Sequence, residues 1–210
     1  LGLMFAGHET TAGQAAWTLI LLLKHPDYLQ KVLAEIEEVA PAGVYIDPKR
    51  MMQLDHIAWA VHEIERLRPS ADMLMRVVKE DIEFGDYLIP AGWLVQVAQE
   101  IGHKLPDQFA EPERFDPLRF SPDRAEDKQH RFNLFGFGGG THKCTGMNFA
   151  NNEMIIITAL MLRQFELELV TQDTQILRGL GANKPTKTIV RYRRRELAPA
   201  EPELAAAAGD

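Results

Sequence analysis

The sequence has a single cysteine, Cys144, among its 210 residues, and its 23 basic residues are outnumbered by 30 acidic ones. One cysteine cannot form an internal disulfide, so we expect a reducing, cytoplasmic location and a thiol that is free for chemistry. The formal net charge of -7 opposes binding to nucleic acid or to an anionic membrane surface, because both are themselves negative. The composition therefore predicts neither of them as a partner.

The chain also lacks an apolar run of the length that crosses a bilayer. Its most apolar stretch, residues 15–23, is far shorter than the ~20 residues that a transmembrane helix needs. We therefore expect a buried helix there and no membrane segment in this chain. Residues 1–5 run directly into a helical pattern, which predicts a chain that begins within an element. A membrane anchor before Leu1 would leave no trace in it.

Hydrophobic periodicity predicts a mainly α-helical protein with small β-sheets, of the α+β class. Helices are predicted where apolar side chains recur every three or four positions, over residues 1–24, 27–40, 47–68 and 146–162. Strands are predicted where the pattern alternates, between residues 73 and 97, at 165–170 and at 188–192. Residues 102–141 are rich in proline and glycine and have little periodicity, which is long for a loop unless it serves a site.

The clearest chemical signal is the segment FGGGTHKCTG, residues 137–146, which leads directly into helical sequence. Its glycines let the backbone pass close to a flat cofactor, and a thiolate near a helix N-terminus is favoured by the helix dipole. Two other interpretations remain open from the residues alone. Cys144 could be a small buried hydrophobe, as lone cysteines often are. It could also bind zinc together with His142, although two ligands do not complete a zinc site.

Phe137, Gly140, Cys144 and Gly146 match the haem-binding loop of the cytochrome P450 family, whose pattern is Phe, two residues, Gly, three residues, Cys, one residue, Gly. Ala150 matches the small residue usually found further along. The segment therefore resembles a haem-thiolate site. The resemblance implies that Cys144 is the axial ligand to the iron of haem b, and that its thiolate donates electron density to favour cleavage of bound dioxygen.

The same resemblance implies further contacts of the cofactor and of a substrate. His142 matches a residue that usually contacts a haem propionate, and Arg76 resembles a strand arginine that binds one. The implied cofactor-binding residues are Cys144, Phe137, Gly138, Gly140, His142, Gly146 and Arg76. Residues 71–74 would line the substrate space, and the implied substrate contacts are Ala6, Met73, Leu74 and Leu180, with Gly181 beside the last.

The segment Ala6-Gly7-His8-Glu9-Thr10 is similar to the long central helix of this family, which crosses the haem on the oxygen side. The similarity implies that Ala6 leaves room for dioxygen, and that Glu9 and Thr10 act as catalytic residues that relay protons to it. The alternative is that Glu9 is a solvated helix residue and that the Thr10 hydroxyl bonds to a carbonyl of its own helix.

Glu63 and Arg66 lie about one helical turn apart and can pair on one face of a helix. An exposed pair of this kind contributes little to stability, so its presence alone is uninformative. In the cytochrome P450 family, such a pair joins a distant arginine in a Pro-x-Arg-Phe segment, which matches residues 117–120. The resemblance therefore implies a structural cluster of Glu63, Arg66 and Arg119 on the cysteine side of the fold.

Taken in order, these motifs make residues 1–195 similar to the C-terminal half of a haem-thiolate monooxygenase domain, with the N-terminal half absent. Residues 196–210, rich in Ala, Pro and Glu, are predicted to be a tail or linker. Residues 74–77 and 190–195 look most like sterol 14α-demethylases. A lipophilic sterol or terpenoid is therefore a candidate to receive one oxygen atom from O2. Glu9 departs from that subgroup, in which a histidine usually precedes the threonine.

Electrons for such a reaction must come from a partner, such as a ferredoxin or flavodoxin with its reductase. A cationic cluster near the cysteine loop is the expected docking face, made of His130, Arg131, His142 and Lys143. The tail could instead tether an electron-transfer module. Two alternatives remain: a haem-thiolate isomerase or dehydratase that does not use O2, which the presence of Glu9 and Thr10 opposes, and a partial chain that cannot bind haem alone.

Overall fold

The computed structural model describes residues 2–179 and 182–196, with the side chain of residue 3 excepted. Within these ranges the helices are α1 (Gly2–Lys24), α2 (Pro26–Val39), α3 (Pro48–Met51), α4 (Asp55–Leu67), α5 (Gln99–Gly102) and α6 (Met147–Gln164). The strands are β1 (Met73–Val77), β2 (Ile82–Phe84), β3 (Tyr87–Ile89), β4 (Leu94–Ala98), β5 (Phe165–Leu169), β6 (Ile176–Leu177), β7 (Lys184–Pro185) and β8 (Val190–Arg194). They form antiparallel pairs, β1 with β4, β2 with β3, β5 with β8 and β6 with β7.

The prediction of one helix over residues 47–68 is wrong, because two helices occupy that range. α3 follows Asp47, whose side chain accepts a backbone N–H bond at 2.9 Å, and α4 starts afresh at Asp55. Glu35 on α2 caps α4 from outside, since its Oε1 accepts the N–H of His56 at 2.7 Å. A carboxylate there satisfies a free N–H group and is favoured by the helix dipole. The cap comes from another helix, so the local sequence does not reveal the break.

Four helices, α1, α2, α4 and α6, build the core that carries the site. Leu22, Val32, Ile57 and Ala159, one from each helix, are fully buried in a common cluster. Burying a side chain the size of leucine or isoleucine contributes about 2 kcal/mol. Because α6 begins just after Cys144, its packing against α1 and α4 fixes the cysteine loop at one end of this core.

The irregular segment over residues 102–141 is held by side chains as well as by turns. It contains three short 3-10 helices, at Pro117–Phe120, Glu126–Lys128 and Gly140–His142. Phe109 and Asn133 are fully buried within it, and Asn133 Nδ2 donates to the carbonyl oxygen of Glu126 at 2.7 Å. The segment therefore packs as part of the fold, which a long loop without buried side chains could not do.

Two predictions about the ends of elements have different outcomes. The strands predicted at residues 165–170 and 188–192 are present as β5 and β8, with β8 displaced toward the C-terminus by two residues. The predicted tail is residues 196–210, of which residues 197–210 lie outside the described ranges. Within those ranges, no helix combines the length and the apolar character that crossing a membrane requires.

Candidate active site around Cys144

The loop that carries Cys144 is a tight backbone structure that needs glycine. The N–H of Gly138 donates to the carbonyl oxygen of Phe135 at 2.8 Å, and the N–H of Cys144 donates to that of Phe137 at 2.8 Å. Gly138 and Gly140 have φ values of 76° and 66°, in the left-handed region that side chains disfavour. The Cys144 side chain is exposed. The interpretation of Cys144 as a buried hydrophobe is therefore wrong.

A cavity of about 310 Å³ lies between this loop and α1. Its lining comes from α1, α4, the segment after α4, β1, the loop and α6. The lining residues are Ala6, Thr10, Thr11, Gln14, Glu65, Ser70, Leu74, Gly136, Phe137, Gly138, His142, Cys144, Ala150 and Met154. The structure thus brings the predicted oxygen-side residues Ala6 and Thr10 into the same space as Cys144. A Cβ added at Gly146 would lie 3.9 Å from the Cys144 sulfur, so the backbone beside the sulfur carries no side chain.

These residues fit a flat cofactor that needs one soft axial ligand. An exposed thiol offers that ligand, and the glycines of the loop leave the backbone bare next to it. The cavity wall is largely apolar, through Ala6, Leu74 and Met154. Within the described ranges, no group of three or more His, Cys, Asp or Glu side chains is arranged to hold a metal ion. A zinc site at Cys144 therefore has no support in the geometry.

The two predicted relay residues lie in different surroundings. Thr10 lines the cavity. Its hydroxyl donates to the carbonyl oxygen of Ala6 at 2.6 Å, which is the bond to its own helix that the alternative interpretation expects. Glu9 is not among the lining residues. Its Oε2 lies 3.2 Å from Lys184 Nζ on β7, and both side chains are about half exposed.

β1 places one predicted substrate residue at the cavity and one away from it. Leu74 and Arg76 share the half-buried face of the strand, and Leu74 lines the cavity. Met73 faces the other way and is exposed. Arg76 Nη1 donates to the carbonyl oxygen of Met75 at 2.8 Å and does not line the cavity. Leu180 and Gly181 lie outside the described residues.

The three residues of the predicted structural cluster meet in the interior. Arg66 Nε donates to Glu63 Oε2 at 2.7 Å, and Arg119 Nε donates to Glu63 Oε1 at 3.2 Å. All three side chains are fully buried. The pair that looked uninformative as a surface feature is therefore a buried ionic cluster, and buried charges persist only when they are paired and hydrogen-bonded.

Glu126 completes this cluster and was missed by sequence reasoning. Its Oε2 accepts a hydrogen bond from Arg119 Nη1 at 2.6 Å. Ala125, just before it, has a φ of 41°, an uncommon conformation for a residue other than glycine. The segment had no periodicity from which a buried glutamate could be recognised.

Glu65 was also missed, because a charged residue on an amphipathic helix is usually solvated. It is buried, and its carboxyl lies against the loop, where a Cβ at Gly136 would be 2.7 Å from Glu65 Oε1. Burial raises the pKa of the Glu65 carboxyl to about 7, and the backbone N–H groups of Gly136 and Phe137 and the charge of Lys143 offset only part of that shift. An acid with a perturbed pKa next to the cysteine loop is a candidate functional group.

Three of the four residues of the predicted docking cluster line two different cavities. Arg131 and Lys143 line a second cavity of about 770 Å³ behind the loop, where the side chains of Asp127 and Glu65 also lie. His142 lines the cavity next to Cys144 instead. All four residues of the cluster, including His130, are exposed.

The family model described as cytochrome P450 matches residues 1–190 of this chain. The chain belongs to the cytochrome P450 family. The sterol 14α-demethylase of Mycolicibacterium vanbaalenii is 34% identical to it over 200 residues, which is 93% of this chain and 44% of that protein. The sterol 14-demethylase of Arabidopsis thaliana is 34% identical over 202 residues, 92% of this chain and 41% of that protein. Cytochrome P450 3A9 of Rattus norvegicus is 33% identical over 190 residues, 89% of this chain and 37% of that protein.

A crystal structure of a mutant cytochrome P450DA haem domain has the same fold, with a TM-score of 0.86 at 28% sequence identity, and the superposition covers 92% of this chain and 43% of that one. These comparisons confirm the predicted family, its resemblance to sterol demethylases, and the predicted fold class. The chain spans less than half the length of the cytochrome P450 relatives that it matches.

Proposed function

We propose that the protein holds haem b through the thiolate of Cys144 and inserts one oxygen atom from O2 into a lipophilic substrate. The observation that supports this function is the shared cavity, in which the exposed sulfur of the only cysteine faces the same space as Ala6 and Thr10. Family membership supports the same chemistry. A thiolate-ligated haem supplies the reduction and cleavage of dioxygen when it is bound.

The cofactor contacts proposed from the sequence are Phe137, Gly138, Gly140, His142, Gly146 and Arg76. Phe137, Gly138 and His142 line the cavity next to the sulfur, which supports a direct role for them. Arg76 shares a strand face with Leu74, and this supports a role toward a propionate at the cavity rim. Positively charged and hydrogen-bonding side chains suit that carboxylate.

Thr10 is the proposed residue that orients the proton chain inside the cavity. Its hydroxyl hydrogen is engaged with the carbonyl oxygen of Ala6 at 2.6 Å, so its oxygen can accept a hydrogen bond from water or from a protonated group in the cavity. We propose that Glu9 exchanges protons with solvent from outside the cavity, where its carboxylate pairs with Lys184. Protons then pass from solvent to Glu9, to Thr10 and into the cavity.

A sterol or terpenoid is the proposed substrate class. Two of the relatives named above carry the name sterol demethylase, one from a bacterium and one from a plant. The apolar side chains of Ala6, Leu74 and Met154 on the cavity wall support a lipophilic ligand. Met73 stays a proposed contact although it does not line the described cavity, and Leu180 stays a proposed contact that lies outside the described residues.

The proposed electron donor is an acidic ferredoxin or flavodoxin, reduced by its own reductase. Arg131 and Lys143 are exposed and lie behind the cysteine loop, which supports docking on that side. Electrostatic docking of this kind weakens as ionic strength rises.

The decisive experiment uses labelled dioxygen with the haem-loaded protein, its electron donor and a sterol or terpenoid substrate. The proposal requires one labelled atom in the product for each dioxygen consumed. A rearranged or dehydrated product that forms without dioxygen would instead establish the isomerase or dehydratase alternative, and would refute the proposed role of Thr10 as well.

A further inference from the structure

The segment just before the cysteine loop is held by two side chains. One is that of Gln99 in α5, and the other is that of His103, which directly follows α5. Gln99 Nε2 donates to the carbonyl oxygen of Phe135 at 2.7 Å. His103 Nε2 accepts a hydrogen bond from the N–H of the same Phe135 at 3.0 Å. Two side chains one helical turn apart therefore satisfy both backbone groups of a single loop residue, which fixes the position and the orientation of that peptide.

Close packing reinforces the two hydrogen bonds. The rings of His103 and Phe135 meet edge to face, with centroids 4.6 Å apart. A Cβ added at Gly102 would lie 2.8 Å from atoms of the Phe135 ring, so a glycine is needed for this approach. The Phe135 ring therefore packs closely against the C-terminal end of α5 and against His103.

The buried ionic cluster supports the two side chains from behind. Arg66 Nη1 donates to the carbonyl oxygen of His103 at 2.9 Å, and the N–H of His103 donates to the carbonyl oxygen of Gln99 at 2.9 Å. Gln99 and His103 are fully buried. The backbone that carries Gln99 and His103 is thus linked to Glu63 through Arg66.

Two backbone hydrogen bonds connect the Phe135 region of the chain with Cys144. The carbonyl oxygen of Phe135 also accepts from the N–H of Gly138 at 2.8 Å, and the carbonyl oxygen of Phe137 accepts from the N–H of Cys144 at 2.8 Å. A displacement of Phe135 would therefore be transmitted to the peptide that carries the sulfur.

We propose that Gln99 and His103 are positioning residues that set the place of the Cys144 peptide through Phe135. The importance of the position of the Cys144 peptide for catalysis rests on the proposed function, whereas the link from Gln99 and His103 through Phe135 does not.

The test measures hydrogen exchange of individual backbone amides in the haem-free 210-residue chain. His103→Leu removes the acceptor, Gln99→Leu removes the donor, and His103→Gln keeps an acceptor oxygen at that side chain. Ile57→Val, a fully buried core substitution, is the matched control, because losing one methylene costs roughly as much as losing one hydrogen bond. The amides of Gly138 and Cys144 report on the loop, since neither donates to Gln99 or His103.

We expect each leucine variant to speed exchange at Gly138 and Cys144 by about tenfold, because loss of one hydrogen bond favours local opening of the loop. His103→Gln should stay closer to the unmodified chain than His103→Leu does. Equal acceleration in Ile57→Val, or none in both leucine variants, would overturn the proposal. If His103→Leu does not fold, Gln99→Leu carries the test.

A second readout tests the same link in haem-loaded protein. Both leucine variants should convert part of the thiolate-type carbon monoxide spectrum to the form without thiolate ligation, whereas Ile57→Val should not. If the unmodified protein never shows a thiolate spectrum, the proposed function fails while the exchange result still decides the positioning role.

Discussion

Glu63 and Arg119 are joined by a buried hydrogen bond of 3.2 Å although 56 residues separate them along the chain. Arg119 also reaches Glu126, and Glu63 also holds Arg66. These consecutive ion pairs connect α4 with the segment that precedes the cysteine loop. The irregular segment is therefore anchored by charge pairing in the interior as well as by apolar burial.

Replacing Arg119 with leucine is expected to destabilise the fold strongly. The change removes the buried cation that bonds to Glu63 and to Glu126, although Arg66 still pairs with Glu63 and Arg124 with Glu126. Breaking a buried pair in this way costs about 3–5 kcal/mol. Denaturant unfolding of the purified chain measures the loss. Arg191→Leu is the control, because its pair with Glu168 is two-thirds exposed and should change the free energy of unfolding by less than about 1 kcal/mol. Equal losses in the two variants would contradict the account.

Glu65 is expected to make the protein less stable as the pH rises toward neutrality. Burial raises the pKa of the Glu65 carboxyl in the folded state to about 7, from its ordinary value of 4.5, so the folded chain keeps a proton there that the unfolded chain releases. Stability is therefore full below pH ~4.5 and falls until pH ~7, by about 3 kcal/mol. Glu65→Gln should remove this loss and be more stable than the unmodified chain at pH 8.

The control for this prediction is Glu168→Gln, which changes an exposed carboxyl on β5. It should leave the pH dependence of unfolding unaltered. A Glu65→Gln variant whose stability follows the same pH curve as the unmodified chain would show that the Glu65 carboxyl is not buried as described.

His103 is expected to make the protein less stable as the pH falls into the acidic range. Burial, together with the charge of Arg66, lowers the pKa of the His103 imidazole to about 4, so the folded chain keeps this ring neutral where the unfolded chain binds a proton. The contribution of the neutral His103 ring to the free energy of unfolding is complete above pH ~6.5 and is lost as the pH falls toward ~4. Unfolding of the chain and of His103→Gln between these limits measures the difference, which should shrink toward acid. A constant difference would contradict the neutral ring.

Much of the site was accessible to sequence reasoning because its parts are short local patterns. The glycine-rich cysteine loop, the segment around Thr10, and Glu63 with Arg66 are each contained within a few residues of one another. The structure brings Ala6, Thr10, Leu74 and Cys144 to one cavity.

The features of the fold and of the site that the sequence did not predict depend on contacts between distant residues, which no local pattern encodes. The break between α3 and α4 follows from a cap supplied by Glu35 on another helix. Glu65 and Glu126 look like surface residues in the sequence, and only tertiary packing buries them. His103 lies in a segment without periodicity, so its contact with Phe135 could not be foreseen.

Thr10→Ala is expected to uncouple oxygen consumption from product formation in the haem-loaded protein. Thr10 lines the cavity and the alanine variant lacks its hydroxyl, so fewer product molecules should form for each dioxygen consumed. Thr10→Ser keeps the hydroxyl and should retain most of the coupling. Oxygen electrode and product measurements on the same samples give the ratio, and an unchanged ratio in Thr10→Ala would refute the relay role.

The central claim is that Cys144 binds a haem iron as a thiolate, and the carbon monoxide difference spectrum of the reduced, haem-loaded protein tests it most directly. The account predicts a Soret band at about 450 nm that Cys144→Ser abolishes. A band at about 420 nm in the folded, unsubstituted protein, or a band at about 450 nm that survives Cys144→Ser, would contradict it.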